Sequence, residues 1–572
     1  MKKKLHLLLA GLIFYSSSIQ AVNYYWVGGT GNWSNYAAHW ATTSGGNVFH
    51  VQVPTSFDNV YFDANSFTAP GQIVTNDTTI AYCRDMDWTG ANAPVFEAAN
   101  TSIQLKIFGS LTLNPVVNFA FNGQLLFTSF NPGKTIQTFS RVLQCPVEFN
   151  GAGGEWNMLD SLTTTKNITL TYGTLRTNNH NMRCLSFYSY NNNSRSFYLG
   201  TSTVFITNVN NGEWEVSASL TIDADSSIIR FRDDGYFRAS GQTYHILQWD
   251  STGMVGSNEI YGDGGGLTIH KIISLNPHPF AELRLDHHPN SHIDSIFVWG
   301  KLRADMGGFN HINYIWVDHD ANISDQSQDT ILKMVVNEDL TYTSAYPNSF
   351  FHDLTVGGNL TVSQGSSIFR NMITFDSCTV FGNATFLSGS NQLGVFTMTP
   401  GKTLTLKNDS TQYIDSLSAT GTAGFPIQIV SSDLGLAANV DIQKSLCTNY
   451  LYIHAVHATS PNLLYVGNNS NDVANNTGWI FTSCLPTGIE ENSEDALSLF
   501  PNPATEELRI KNTELRIEKV EIYDAIGQSV LNLNPEAGRE QVRVDVSGLN
   551  PGIYFLKIRD GQRVYSEKFI KE

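Results

Sequence analysis

Gly173-Thr174-Leu175-Arg176-Thr177-Asn178-Asn179-His180 and Gly300-Lys301-Leu302-Arg303-Ala304-Asp305-Met306 state one phrase at two distant points of the chain. Its core, Gly-x-Leu, returns at Gly109-Ser110-Leu111, Gly123-Gln124-Leu125 and Gly358-Asn359-Leu360. Pro132-Gly133-Lys134-Thr135-Ile136 and Pro400-Gly401-Lys402-Thr403-Leu404 echo each other in the same way. From about Ile103 to Val380, short runs of Ile, Leu, Val, Phe or Thr end in Gly- or Asn-rich turns and begin again. These are the marks of short strands, and no stretch sustains a 3.6-residue period with capping signals, so helices should be nearly absent. Irregular self-similarity at roughly 20 to 25 residues predicts an all-β chain wound as a parallel β-helix, or β-solenoid. Alternation alone does not separate stacked coils from hairpins, so tandem β-sandwiches are the alternative.

A column of coils needs covered ends, because an open rung templates further pairing. The stretch Asn23 to Trp40 carries Trp26, Trp33 and Trp40 at intervals of seven, interrupted by Gly28-Gly29-Thr30-Gly31. It predicts a loop-rich cap with packed indoles, and a sugar-stacking surface is the lesser reading. Trp479-Ile480-Phe481 is the candidate cap at the other end. Residues 22–100 are thus assigned to the cap and first strands, and 101–484 to the repetitive passenger.

Before them, Lys2-Lys3-Lys4, the apolar run from Leu5 to Tyr15 and the small-residue approach to Ala21 read as a signal peptide, residues 1–21. No run is long enough to predict a transmembrane helix. The 463 residues from Val22 to Cys484 hold 20 basic and 35 acidic side chains, whereas the 77 from Ala496 onward hold 11 and 12. That shift sets a linker at 485–495 and a separate domain at 496–572. A sparse, net-acidic passenger has no footprint for nucleic acid or anionic lipid. Six cysteines lie far apart without zinc-ligand spacing. In an exported chain they permit up to three disulfides, with Cys447 and Cys484 the preferred pair because it would staple the passenger's end. Buried unpaired thiols are the alternative.

The last segment opens Leu499-Phe500-Pro501-Asn502-Pro503 and continues in period-two runs broken by turns at Asp524 to Gly527, Gly548 to Gly552 and Asp560-Gly561. It predicts a small Ig-like β-sandwich. Pro501-Asn502-Pro503, Tyr523-Asp524-Ala525-Ile526-Gly527, the run Val544 to Leu556 and Lys568-Phe569-Ile570-Lys571 resemble the type A C-terminal sorting domain of the type IX secretion system. The resemblance implies an address that carries a passenger across the outer membrane of Bacteroidetes-type bacteria to the cell surface or the medium. The secretion machinery would be its partner, and Pro501, Asn502, Pro503, Gly527, Gly552, Tyr554, Lys568, Phe569 and Lys571 would make up the signal. The passenger more loosely resembles adhesin-like β-helix surface proteins of the same bacteria. The residues that carry this are Tyr25 to Trp33, Gly173 to Asn179, Leu199 to Val204, Gly241 to His245 and Asn476 to Phe481. That likeness implies architecture more than activity and brings no catalytic set; an exposed ladder of Asn, Thr and aromatic residues would suit neutral sugars and other polar surfaces, so glycans or cell-surface polymers are the expected ligands.

β-Helices also host polysaccharide lyases, hydrolases and epimerases, whose sites align carboxylates on one face. Asp233-Asp234 and Asp318-His319-Asp320 are the acids to test, each weighed against a solvated turn with a capping aspartate. Asp286-His287-His288-Pro289-Asn290-Ser291-His292-Ile293-Asp294 is the densest titratable cluster and suits a transition metal by composition. Pro289 and the irregular spacing favour an exposed loop. Gly133-Lys134-Thr135 and Gly401-Lys402-Thr403 lack the earlier glycine of a nucleotide loop and read as type II turns. Gly262-Asp263-Gly264-Gly265-Gly266 is a weak calcium-turn candidate. The expectation is therefore an exported, non-enzymatic, adhesin-like protein with no catalytic, cofactor or metal residues. A polysaccharide-active enzyme is the alternative.

Overall fold

The protein was analysed as a computed structural model. It describes residues 21–208, 212–250, 257–262, 265–286, 290–307, 310–325, 329–344, 350–364, 374–387, 391–484, 497–512, 517–535, 541–560 and 563–572. All of the proposed signal peptide but its last residue lies outside them. The chain divides into two compact units, Met1–Cys484 and Leu485–Glu572.

The first unit is a parallel β-solenoid built on a 27-stranded and a 16-stranded sheet. The pairing decides against tandem sandwiches. Leu302 sits beside Ala321, Ala321 beside Leu340 and Leu340 beside Leu360, all in parallel register, so like positions of successive coils stack. Tyr25↔Ala41 and Trp26↔Trp40 form the one antiparallel strand pair described in this unit. Parallel stacking already begins inside residues 22–100, where Tyr24 pairs with Val60 and Val60 with Met86. Early coils carry three strand segments each, as in Phe187–Ser189, Arg195–Tyr198 and Thr203–Ile206. From Gly235 to Ile442 a coil is two strands, one in each large sheet, and its length falls to 19 residues between Leu302 and Ala321; a third strand returns at Leu446–Cys447 and Leu464–Tyr465.

Inward residues form columns. Ile296, Ile315, Met334 and Leu354 stack on the narrower sheet, followed by Val298, Val317, Val336 and Val356 in the next column. All eight are at most 1% exposed. Where the coil is wider, rings fill it: Phe187 lies 4.6 Å from Trp214, and Trp214 6.4 Å from Phe237, with nearly parallel planes. Each such contact adds about 0.5–1.5 kcal/mol beyond the area it buries. The Gly-x-Leu phrase follows from the winding. Its leucines, among them Leu125 and Leu302, point into the core. Its glycine stands where the previous coil passes: a Cβ at Gly300 would lie 2.5 Å from the Ala281 carbonyl oxygen. The Pro-Gly turns have Gly133 and Gly401 at φ of +76° and +78°, as type II geometry requires.

Buried indoles lie near both ends of the unit. Trp26, Trp33 and Trp40 are fully buried and meet edge to face, with Trp40 4.8 Å from Trp33 and 5.0 Å from Trp26. At the far end Trp479 donates its indole N–H to the Val456 carbonyl. A disulfide joins Cys447 to Cys484, whereas Cys83, Cys145, Cys184 and Cys378 are buried free thiols. Burial pushes the Cys145 and Cys184 thiols up to about 12, which leaves them unreactive.

The second unit is antiparallel. Leu497–Phe500, Glu507–Asn512 and Gln541–Asp545 form one sheet; Lys519–Asp524, Ser529–Leu533, Gly552–Asp560 and Arg563–Lys571 form the other. Leu508, Ile510, Val544, Ile522, Leu556 and Phe569 belong to its separate core.

The disulfide closes a loop of 37 residues at the solenoid's end, worth about 3–4 kcal/mol by loop-closure entropy. Cys484→Ser is expected to lower hydrogen-exchange protection in Leu451–His454 and Val456–Thr459 while leaving Gln104–Ile107 unchanged. Equal loss in both regions would show that the bond does not act as a local staple.

Candidate functional site

The carboxylates singled out from sequence fall at corners where the chain leaves the narrower sheet for the wider one. Asp320 accepts from Lys301 Nζ at 2.6 Å and from the Asp339 N–H at 3.3 Å. Asp339 Oδ1 in turn accepts the Asn359 N–H at 2.7 Å, Asn359 Oδ1 the Asn383 N–H, and Asn383 Oδ1 the Thr403 N–H. Asp320 therefore begins a polar ladder that ties five coils together at one edge. Burial alone would raise its carboxyl, but Lys301 and the Asp339 N–H outweigh it and hold Asp320 below the ordinary carboxylate value. Asp318 accepts from Asn337 Nδ2 at 2.9 Å.

Asp233 and Asp234 sit at the same edge, four coils earlier. Four coils at about 4.8 Å each put them roughly 19 Å from Asp320, so the four acids do not form one site. The Asp233 side chain is 9% exposed, 4.0 Å from Arg232 Nε. Its Oδ1 has no hydrogen-bond partner among the described residues. Burial, then the neighbouring Asp233 charge, raises the Asp234 carboxyl.

The histidine-rich segment is only partly a loop. His287, His288 and Pro289 lie outside the described residues, but Asn290-Ser291 is a corner and a strand begins at His292. Asp294 accepts from His270 Nδ1 at 2.6 Å, His292 Nε2 at 3.1 Å and Asn313 Nδ2 at 3.1 Å. These bonds, that of His270 first, hold its carboxyl below the usual range. Among the described residues no group of three or more such side chains is arranged to hold a metal ion. Of the calcium-turn candidate, Asp263 and Gly264 lie outside the described residues.

A groove that the sequence reading did not find lies on the outer face of the wider sheet. The strands Gly212–Val216, Gly235–Ala239 and Ser257–Gly262 stack so that Glu213, Tyr236 and Glu259 form one outward row. Glu215, Arg238 and Tyr261 form the next. Together they line an open cavity of about 300 Å³. Arg238 pairs with Glu215 at 3.1 Å and lies 5.2 Å from the Tyr190 ring centre and 5.3 Å from that of Tyr261. The Tyr188 hydroxyl donates to Glu213 Oε2. Burial, and then that carboxylate, push the Tyr188 hydroxyl up to about 12. Burial, and then the Asp286 charge, raise the Glu259 carboxyl against the pull of Arg284. The signal was present as Glu-Trp-Glu, Tyr-Phe-Arg and Glu-Ile-Tyr at a spacing of 23 residues, but only the coil register makes them neighbours.

In the second unit, residues of the expected sorting motif tie the segment after the first strand to the last strand. Asn502 Oδ1 accepts the Ile570 N–H at 2.9 Å, and Asn502 Nδ2 donates to the Lys568 carbonyl. Pro501 and Pro503 flank it, both after cis peptide bonds. Tyr554 stacks on Phe569 at 5.6 Å and donates its hydroxyl to the Asn550 carbonyl. Gly527 turns at φ +81° below Asp524, Gly552 opens the strand paired with Lys571, and Lys571 is 7% exposed.

Residues 498–572 match the family model described as the secretion system C-terminal sorting domain. This is the sorting domain of the type IX system, which marks a chain for export to the cell surface or the extracellular space by that machinery. No curated protein and no solved structure matches the chain at a significant level. No helix among the described residues is long and apolar enough to cross a membrane.

Because the Glu259 carboxyl is raised in the folded state, its ionisation opposes folding once pH exceeds its unfolded value, and the penalty is complete above the folded value. Glu259→Gln is expected to raise Tm at pH 7 and to have no effect below pH 4. A Tm gain that persists unchanged at low pH would refute this account.

Proposed function

We propose that residues 22–484 are a non-enzymatic, adhesin-like passenger of a Bacteroidetes-type bacterium, following a signal peptide at 1–21. A linker at 485–495 and the sorting domain at 496–572 follow it, and the nine sorting-motif residues act as its export signal. The solenoid presents side chains to glycans or other cell-surface polymers and carries no catalytic set.

One observation carries this reading. Thr341, Thr361, Thr385 and Thr405 stack in register on the outer face of the wider sheet, while Asp318 and Asp320 are bound to neighbouring coils. A ladder of small hydroxyls repeated at the coil spacing suits hydrogen bonding to polar polymers and supplies neither acid nor nucleophile. The enzyme alternative is favoured by the raised Asp234 carboxyl beside a buried Asp233.

Two experiments test the proposal. Deleting Pro501–Glu572 should leave the passenger in the periplasm, and normal surface display without it would reject the sorting role. The secreted protein should bind glycan-bearing surfaces with no turnover on a panel of acidic and neutral polysaccharides. Turnover abolished by alanine at Asp233, Asp234, Asp318 and Asp320 would establish the enzyme instead.

A further inference from the structure

We propose that the groove lined by Glu213, Glu215, Tyr236, Arg238, Glu259 and Tyr261 binds an extended glycan of amine-bearing sugars, laid along the solenoid axis. The inference rests on the binding reading above and gives it a place and a ligand class.

Three features point to this ligand. The first is shape: the cavity is open and about 300 Å³, and it lies across three successive coils, which suits a chain crossing it better than a compact molecule sealed inside. Its rungs repeat at about 4.8 Å, close to the length of one sugar ring in an extended chain, so adjacent rings can meet adjacent rungs in like fashion.

The second is the alternation of ring and carboxylate. Tyr236 stands between Glu213 and Glu259 in one row, and Tyr261 beyond Glu215 and Arg238 in the next. A tyrosine ring covers the apolar C–H face of a sugar, while carboxylates on the rungs to either side accept from its polar edge.

The third is charge. Among the described residues Arg238 is the one basic side chain lining the groove, and it is matched by Glu215. Glu213 and Glu259 then leave the groove negative: on the next coil Arg284 stands beside Glu259 but is paired with Glu282 at 2.8 Å, and Asp286 stands beside Tyr261 and adds a further carboxylate near Glu259. Repulsion between these acids is relieved by a cation placed over the row. An ammonium on a sugar supplies that charge and three donors, whereas a uronate or sulfate would be repelled. The tyrosines explain why the ligand is a sugar amine and not a bare metal ion, whose ligands would be oxygens alone.

The test uses the full secreted chain and a tetramer of β-1,4-linked glucosamine, with its fully N-acetylated counterpart and an oligogalacturonate as comparison ligands, all measured by calorimetry. The glucosamine tetramer should bind most tightly and weaken as salt rises. The isosteric double variant Glu213→Gln/Glu259→Gln should lose affinity by about 10-fold or more, the scale of hydrogen bonds to charged groups. Tyr236→Ala should lose about as much, with circular dichroism and Tm reporting whether each variant is folded. The inference is overturned if the N-acetylated tetramer binds equally well, if the wild type binds none of the three, or if folded variants bind as the wild type does. In the last case glycan binding stands and only its location fails. Cleavage of the bound tetramer, stopped by Glu259→Gln, would overturn both this inference and the non-enzymatic reading.

Discussion

The structure depends on parallel backbone pairing between successive coils. Each coil satisfies its N–H and C=O groups with the coils before and after it, so no coil is stable alone. That constraint sets the rest. If Leu302, Ala321, Leu340 and Leu360 are to stack, the inward column must be apolar at every level and the side chains must fit those directly above and below. Parallel sheets covered on one face by their own core and held at the other by solvent then need no helix to cover them.

Corners are where such a fold is most exposed, because the ladder of backbone bonds is interrupted there. The protein fills the gap with side chains that act as acceptors for a neighbouring coil's backbone. Asp320, Asp339, Asn359 and Asn383 serve one edge, each accepting an N–H of the next coil; Ser291, Asn310 and Asp329 serve another, each accepting an N–H of the preceding coil. Arg195 plays the converse part, as a donor. At 3% exposure its guanidinium donates to Ser189, Ser217, Ser219 and the Asn193 carbonyl, all neutral acceptors. An acid at a corner of this chain is thus first a structural acceptor, which is why acid pairs in the sequence are poor guides to chemistry here.

The second unit solves a different problem with a local version of the same device. Its motif residues are far apart in sequence, yet Asn502 reaches the strand that contains Lys568 and Ile570, and Tyr554 packs on Phe569. Asn502, Tyr554 and Phe569 thus tie the segment after the first strand and the last two strands of this unit together through contacts between residues far apart in sequence.

The sequence by itself determined the all-β class, the coil repeat, the aromatic cap and the compositional break before the tail. These are local properties: the Gly-x-Leu phrase, the spacing of Trp26, Trp33 and Trp40, and charge density can each be read within a few residues. Only the tertiary structure decided between the parallel coils expected and tandem sandwiches, and showed that the coils narrow from three strands to two near Gly235 and that Asp320 joins a ladder. It alone placed Glu213 beside Tyr236 and Glu259, residues separated by a full coil. The reason is physical: alternation tells which side chains face outward, but which outward side chains touch is set by coil length, and coil length varies with every corner.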